Sequence, residues 1–473
     1  MAACFPGAAT GWRGTMKKAD FFQMCVAGTH SGVGKTTLTL GILASLKRRG
    51  YKIQPFKCGP DYIDPGHHTR ASGCQSRNLD TWMMGKNAVV ESYAKSCRFV
   101  DGAVVEGVMG LFDGASSTNL VGSSAQVAKI LDLPVLLVVN ARSMARSLAA
   151  LVKGFATFEP GVNIIGVIAN QTGSKRHVSI LEESLAAADL PPLLGALPKD
   201  ASWAIPERHL GLVTGFEHEE SLSWYERLAD AVDAHLEVEK LIALCRWPRP
   251  WWQEVQKPIQ RPQSVRVAIA RDAAFHFYYQ DNLDRLAAAG IELIPFSPLQ
   301  DQYLPEKISG IYIGGGFPEM FARQLEANRS LKAEVAAFAD RGGCIYAECG
   351  GFMYLCRTLV DRDACRREMC GVIPAETMME SRLHRLGYVE ARTTSPGLFG
   401  PAGTMYRGHE FHWSSIVVDG STQQAVEIKK PGELSSHPEG FRLKNVWGTY
   451  VHAHFASNPE IPANWSSFLL SQF

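Results

Sequence analysis

From Phe21 to about Leu244, short apolar runs alternate with stretches whose apolar residues recur every three or four positions. Residues 103–106, 135–139 and 164–169 read as strands, and Leu38, Leu40, Ile42, Leu43 and Leu46 mark the inward side of a helix. Strand and helix in strict alternation predict a doubly wound parallel sheet. The pattern breaks at residues 245–252, rich in Pro and Trp, and the break continues through Pro258, Pro262 and Gln263. This stretch reads as a linker. A second β/α alternation then begins at residues 265–270, with further strands expected at 291–295, 308–313 and 344–347. The expected organisation is an N-terminal extension over 1–20, read as disordered or start-site sequence, a first α/β domain over 21–244, a linker over 245–263 and a second α/β domain over 264–473.

One segment gives the first domain its chemistry. Residues 26–37 run apolar strand, then Gly28, Thr29, His30, Ser31, Gly32, Val33, Gly34, Lys35, Thr36 and Thr37, then helix. That is the context of a phosphate-binding loop, where backbone N–H groups and a helix N-terminus face an anion together. Lys35 is expected on the terminal phosphates and the Thr36 hydroxyl on Mg²⁺. The standard pattern wants Gly at position 29; this chain has Thr29 there and Gly28 one residue earlier. A chance Gly-Lys-Thr turn is the bland alternative. The candidate ATP contacts are Thr29, Gly32, Gly34, Lys35, Thr36 and Thr37.

Two further segments end apolar runs in carboxylates. Residues 103–114 place Glu106 at a strand end, followed by Gly107, Gly110, Asp113 and Gly114. An acid at a neighbouring strand end of a P-loop sheet holds Mg²⁺ directly or through water, so Glu106 is the expected ligand and Asp113 a second candidate. Residues 57–68 crowd Asp61, Asp64, two prolines, His67 and His68 into what reads as a stiff loop. The two acids are the better candidates for positioning substrate or metal, because ligands of open α/β sheets bind at strand C-terminal ends. Adjacent histidines are more often hydrogen-bonded than ligating.

In the second domain, residues 342–355 place Cys349 at a strand-to-helix turn before Gly350 and Gly351. This is the setting of a nucleophile elbow. A thiol meeting a helix N-terminus is expected to be exposed and to have a lowered pKa. Cys344, five residues earlier, reads as packed. Gly314, Gly315 and Gly316 follow another strand, and the N–H groups of Gly315 and Gly316 are the expected oxyanion hole. His452 and His454 follow an apolar strand near the C-terminus and are the candidate bases.

Bulk properties narrow the partners. A net charge of +1 gives no electrostatic case for nucleic acid or a membrane surface. No apolar run is long enough to span a bilayer, and residues 1–20 contain no long apolar core of a signal peptide. The 11 cysteines form no Cys-x-x-Cys pair, so neither a zinc site nor a disulfide framework is indicated, and a cytoplasmic setting is expected.

Taken together, residues 28–37, 59–68 and 106–114 resemble the cobyrinic acid a,c-diamide synthases, and the likeness continues through residues 122–129, 169–171 and 206–211. The first domain also resembles dethiobiotin synthetase. The Cys349 segment resembles the nucleophile site of class I, triad-type glutamine amidotransferases, which implies a flavodoxin-like fold. The resemblance implies that Asn170 contacts adenine and that His452 takes the Cys349 proton, with His454 the alternative. Many class I relatives have glutamate two residues after the histidine; His454 stands there, which leaves the third triad member open and implies a Cys-His dyad. Residues 407–413 also match and read as structural or tunnel-lining. The implied activity is ATP-, Mg²⁺- and glutamine-dependent amidation of the a and c acetates of cobyrinic acid, through an acyl phosphate, by a homodimer. Hydrogenobyrinic acid and nickel sirohydrochlorin are alternative substrates. A P-loop ATPase or metallochaperone with a degenerate second domain is the rival of another class.

Overall fold

The computed structural model describes residues 21–203, 207–208, 211–212, 221–247, 265–419 and 422–472. The expected N-terminal extension and most of the expected linker lie outside these residues, as does part of the 206–211 match.

The first domain is built on seven parallel strands: β1 (Phe21–Gly28), β2 (Ile53–Cys58), β3 (Arg77–Leu79), β4 (Gly102–Glu106), β5 (Val135–Asn140), β6 (Ile164–Thr172) and β7 (Leu193–Pro198). Their order across the sheet is β3-β2-β4-β1-β5-β6-β7. The central strands bury both faces. In β1, Met24 and Val26 pack with Leu38, Ile42 and Val232, whereas Cys25 and Ala27 pack on the opposite side with Val89, Val127 and Val152. Two apolar layers, each covered by helices, are what the uninterrupted apolar runs predicted. The helix Lys35–Arg48 follows the glycine-rich loop and ends with Lys47 and Arg48, cations that suit the negative end of its dipole. It lies so close to helix Ser221–His235 that a Cβ on Gly41 would sit 2.9 Å from the Leu228 carbonyl oxygen. Strand order reverses around β1, so the ends of β1, β2 and β4 open a crevice where ligands of such sheets bind. Arg246–Trp247, expected in the linker, instead pairs antiparallel with the start of β1.

The second domain carries a ten-stranded mixed sheet. Ile291–Phe296, Val265–Ala270, Gly310–Ile313, Cys344–Glu348 and Val446–Thr449 form its parallel half. His437–Leu443, Gln423–Lys429, Arg385–Thr393, Met405–His412 and His452–His454 continue it antiparallel. The parallel half was predicted from apolar runs. The antiparallel half was not, because its strands are wet on one face: Met405–His412 alternates exposed and buried positions. Residues 57–68 also differ from expectation. They are not one stiff loop, since helix Ile63–Ser72 begins within them and carries Asp64, His67 and His68.

The domains meet through aromatic and polar contacts. Trp82 stacks on Tyr388 at 4.7 Å and Tyr62 on Phe277 at 5.1 Å. The Tyr388 hydroxyl donates to Asp80 at 2.7 Å, and Arg77 pairs with Asp284 at 2.7 Å. Among the described residues no helix is long and apolar enough to cross a membrane.

Candidate active site

The glycine-rich loop closes on itself. Gly34 caps the helix at φ +99°, a left-handed conformation natural only to glycine. A Cβ there would also strike the Asn170 side chain, whose Nδ2 donates to the Val33 carbonyl at 2.9 Å. Asn170 therefore buttresses the loop from the end of β6. The Lys35 ammonium donates to the His30 carbonyl at 3.2 Å, spanning the loop as it would span phosphates. Burial, then the nearby Lys57, lower its pKa. Asp113 folds back to accept from the Gly110 N–H at 2.9 Å, and Leu111 N–H donates to the Gly28 carbonyl at 2.8 Å. The 110–113 turn thus lies against the phosphate loop.

Thr36, Asp64 and Glu106 converge beside it. The Thr36 hydroxyl donates to Glu106 Oε1 at 2.6 Å and lies 3.4 Å from Asp64 Oδ2. A hydroxyl and two carboxylates are hard oxygen donors that fit Mg²⁺, which takes one or two carboxylates and fills the rest of its octahedron with water and phosphate. Lys57 sits between the acids, 2.6 Å from Asp64 and 2.7 Å from Glu106, and His68 Nε2 lies 2.6 Å from the other Glu106 oxygen. Burial pushes the Glu106 carboxyl up, but Lys57 and His68 outweigh it and hold the group well below the carboxylate range. Asp64 goes the other way: burial and the Asp61 charge push it up to about 8 despite Lys57. Asp61 accepts from the N–H groups of Ile63 and Asp64 at 2.7 and 3.0 Å, capping the helix that carries Asp64. Sequence reasoning passed over Lys57 and His68 as partners of Glu106. Lys57 and Glu106 are register neighbours on β2 and β4, a pairing that only the strand order creates. His67 is held by the Tyr225 hydroxyl at 2.8 Å.

Cys349 stands at a strained corner, with φ +47° and ψ −106° between strand Cys344–Glu348 and helix Gly350–Leu355. Such a non-glycine conformation costs about 1–3 kcal/mol and persists only when its surroundings enforce it. Here Cys349 N–H donates to the Thr449 carbonyl at 2.7 Å. The next two residues must be glycine: a Cβ on Gly351 would lie 2.3 Å from the Ile313 oxygen, and one on Gly350 would lie 3.0 Å from the Gly316 nitrogen. Gly316 borders the same cavity as Cys349, while Gly315 backs the His452 ring. The thiol departs from expectation. Cys349 is buried, and burial, then the Glu319 carboxyl, push its pKa up against the opposing Gly350 N–H. Cys344 is packed, as expected.

Cys349 and His452 open onto one cavity of about 640 Å³ between the domains. His454 does not line it. One pleat further along the strand, about 7 Å on, its ring packs against Tyr279 at 4.8 Å, and its Nδ1 accepts from the Ala456 N–H. His454, the alternative base, therefore lies off the cavity that Cys349 and His452 share. His409, Phe411, His412 and Trp413, from the segment read as structural or tunnel-lining, line the cavity. Asp61, Tyr62, Met109 and Gly114 close it from the first domain. Tyr62 and Glu319 were not singled out from sequence, because neither lies in a recognisable chemical pattern of its own.

A phosphate-loop domain joined through a shared cavity to a cysteine-elbow domain defines an ATP-binding protein with a glutamine amidotransferase unit. Residues 24–213 match the CobQ/CobB/MinD/ParA nucleotide binding domain, and residues 266–460 match the CobB/CobQ-like glutamine amidotransferase domain. The chain is 45% identical to a cobyrinate a,c-diamide synthase of Syntrophotalea carbinolica, over 92% of this chain and 96% of the relative. It is 42% identical to those of Dehalococcoides mccartyi, over 94% and 98%, and of Priestia megaterium, over 94% and 96%. The chain belongs to the cobyrinate a,c-diamide synthase family.

Proposed function

We propose that this chain amidates the a and c acetate carboxylates of cobyrinate in cobalamin biosynthesis, using ATP and glutamine, with the two half-reactions joined across the interdomain cavity. The observation that carries the reading is that one cavity reaches both the Cys349 elbow and the Asp61–Gly114 rim of the phosphate-loop crevice. In the second domain, His452 takes the Cys349 proton and the thiolate attacks the glutamine amide carbon. The N–H groups of Gly315 and Gly316 hold the developing oxyanion. Ammonia leaves with the proton returned by His452, and water releases glutamate from the thioester. In the first domain, a substrate carboxylate oxygen attacks the γ-phosphorus and ADP departs, with Lys35 neutralising charge on the transferring group. Thr36, Glu106 and Asp64 would hold Mg²⁺, which would supply charge neutralisation to the nucleotide phosphates. Asp113 and Asp61 position the loops that face substrate, and Asn170 fixes the loop beside adenine. Ammonia crosses the cavity and displaces phosphate from the acyl phosphate. A cytoplasmic homodimer is the setting we favour, with the cysteines reduced.

The test is Cys349→Ala. It is expected to abolish glutamine-dependent amidation while sparing synthesis with free ammonia, and mass spectrometry of cobyrinate products should show two one-step amide shifts for the unaltered protein. Loss of both activities in a folded Cys349→Ala protein would overturn the division of labour. Amidation of hydrogenobyrinic acid or nickel sirohydrochlorin in preference to cobyrinate would reassign the substrate.

A further inference from the structure

The amidotransferase half has a nucleophile and a base, but the position two residues after the base carries His454, which faces Tyr279. An imidazole that accepts a thiol proton through one ring nitrogen needs its other nitrogen oriented, and its positive charge met, by an acceptor. Among the described residues, His452 Nδ1 has no hydrogen-bond partner. The carboxylate beside it is that of Glu348, with Oε2 3.9 Å from Nδ1.

We propose that Glu348, the residue immediately before the nucleophile, is the third member of this triad, positioning His452 and stabilising its imidazolium. The role reaches the site from the strand before the elbow instead of from the strand that carries the base. This inference rests on the reading of Cys349 and His452 as nucleophile and base.

The surroundings of Glu348 suit a fixed carboxylate. It is 1% exposed. Its Oε1 accepts from the Tyr346 hydroxyl at 2.9 Å and from the Ala453 N–H at 3.2 Å, and its Oε2 accepts from the Tyr312 hydroxyl at 3.2 Å. The Ala453 bond ties the carboxylate to the residue after His452, so the acid sets both the backbone and the ring of the base. Among the described residues Oε2 has a single donor, Tyr312, and so has acceptor capacity left for Nδ1. A gap of 3.9 Å is a contact that tightens to a hydrogen bond when the ring becomes charged, as catalytic bonds do on substrate binding. Burial pushes the Glu348 carboxyl up to about 8, opposed by Tyr346, Ala453 N–H and Tyr312. Burial, then His409 and His412, push His452 down to about 3. Each group alone resists charge in this dry pocket. The single proton the thiol gives up makes the imidazolium, and an already ionised Glu348 beside it offsets that charge, each ion favouring the other. The groups facing the pair are Tyr312, Tyr346 and Cys349 around Glu348, and His409, His412 and Tyr62 around His452.

Glu348→Gln keeps volume and one acceptor oxygen, which can still serve Tyr346 and the Ala453 N–H, while removing the charge and placing an amide NH₂ where Oε2 accepts from Tyr312. Glutaminase kcat is expected to fall by roughly 10²- to 10⁴-fold, the range for disabling the orienting acid of a triad, with KM within about threefold because Glu348 does not line the cavity. Glu348→Asp is expected to recover part of that kcat. A folded Glu348→Gln protein with unchanged kcat, or with the loss confined to KM, overturns the proposal. A second measurement needs no variant at Glu348. In ¹⁵N-histidine-labelled protein alkylated at Cys349 by a diazoketone analogue of glutamine, the His452 ring should carry its proton on Nδ1. A proton found only on Nε2 overturns the proposal. His452→Ala separates the two readings: if it retains full glutaminase activity, the base assignment itself is wrong, whereas loss in His452→Ala with none in Glu348→Gln refutes only the role of Glu348.

Discussion

Lys57 is the cation on which the phosphate-loop crevice depends, and Lys57→Met tests that directly. Its ammonium lies 2.6 Å from Asp64 and 2.7 Å from Glu106, and the three side chains are 5%, 8% and 0% exposed. Burial alone would lower the lysine pKa, but the Asp64 and Glu106 charges hold it well above its usual value. Methionine matches the stem and leaves two acids buried without their shared counter-ion. Removing one partner of a buried pair costs about 3–5 kcal/mol. Relief is available on both sides: Asp64 protonates readily, being pushed up to about 8, and His68 remains a hydrogen-bond partner 2.6 Å from Glu106. The low end, about 3 kcal/mol, is therefore expected at neutral pH. For a domain of this size that corresponds to a fall of roughly 6–12 °C in the first-domain transition. Calorimetry of the wild type, Lys57→Met, Glu106→Gln and the double variant measures it. The double variant should be more stable than the two single losses added together, because it leaves no orphaned charge on Glu106. A loss under about 1 kcal/mol in Lys57→Met, or strict additivity, would refute the reasoning.

Lys35→Ala should lower amidation with either nitrogen source by about a hundredfold or more, and Asp113→Asn by less, since Asp113 acts through the 110–113 turn; product formation with ammonia reads both, and an unchanged Asp113→Asn rate removes it from the site. His452→Ala should lose glutaminase almost completely and His454→Ala much less, because only His452 borders the cavity with Cys349; glutamate release ranks them, and the reverse order would make His454 the base. Glu439, held by the Tyr450 N–H at 2.7 Å, is pushed up to about 7 by burial. The folded protein therefore keeps a proton that the unfolded chain releases. This contribution to stability is full below pH 4.5 and is lost as pH rises towards 7. Urea unfolding of Glu439→Gln should decline less than wild type across that window, and parallel curves would exclude the assignment.

The sequence alone determined the features whose physics is local. A strand, a loop with glycine at Gly32 and Gly34, and an apolar-striped helix specify a phosphate loop because φ > 0 and close backbone approach demand those residues where they stand. The Cys349 corner was equally readable, since Gly350 and Gly351 announce the tight approach to residues 313–316. The uninterrupted apolar runs likewise specified the parallel sheets. The tertiary structure decided everything that depends on which strands become neighbours. Lys57 meets Glu106 because β2 lies beside β4, and the antiparallel half of the second sheet escaped notice because one of its faces is wet. The thiol's raised pKa also belongs to the fold: the sequence announces a helix N-terminus, but burial by residues distant in the chain outweighs the Gly350 N–H. Likewise, one pleat of strand separates His452 in the cavity from His454 against Tyr279, and no spacing rule tells which of two alternate residues reaches the nucleophile.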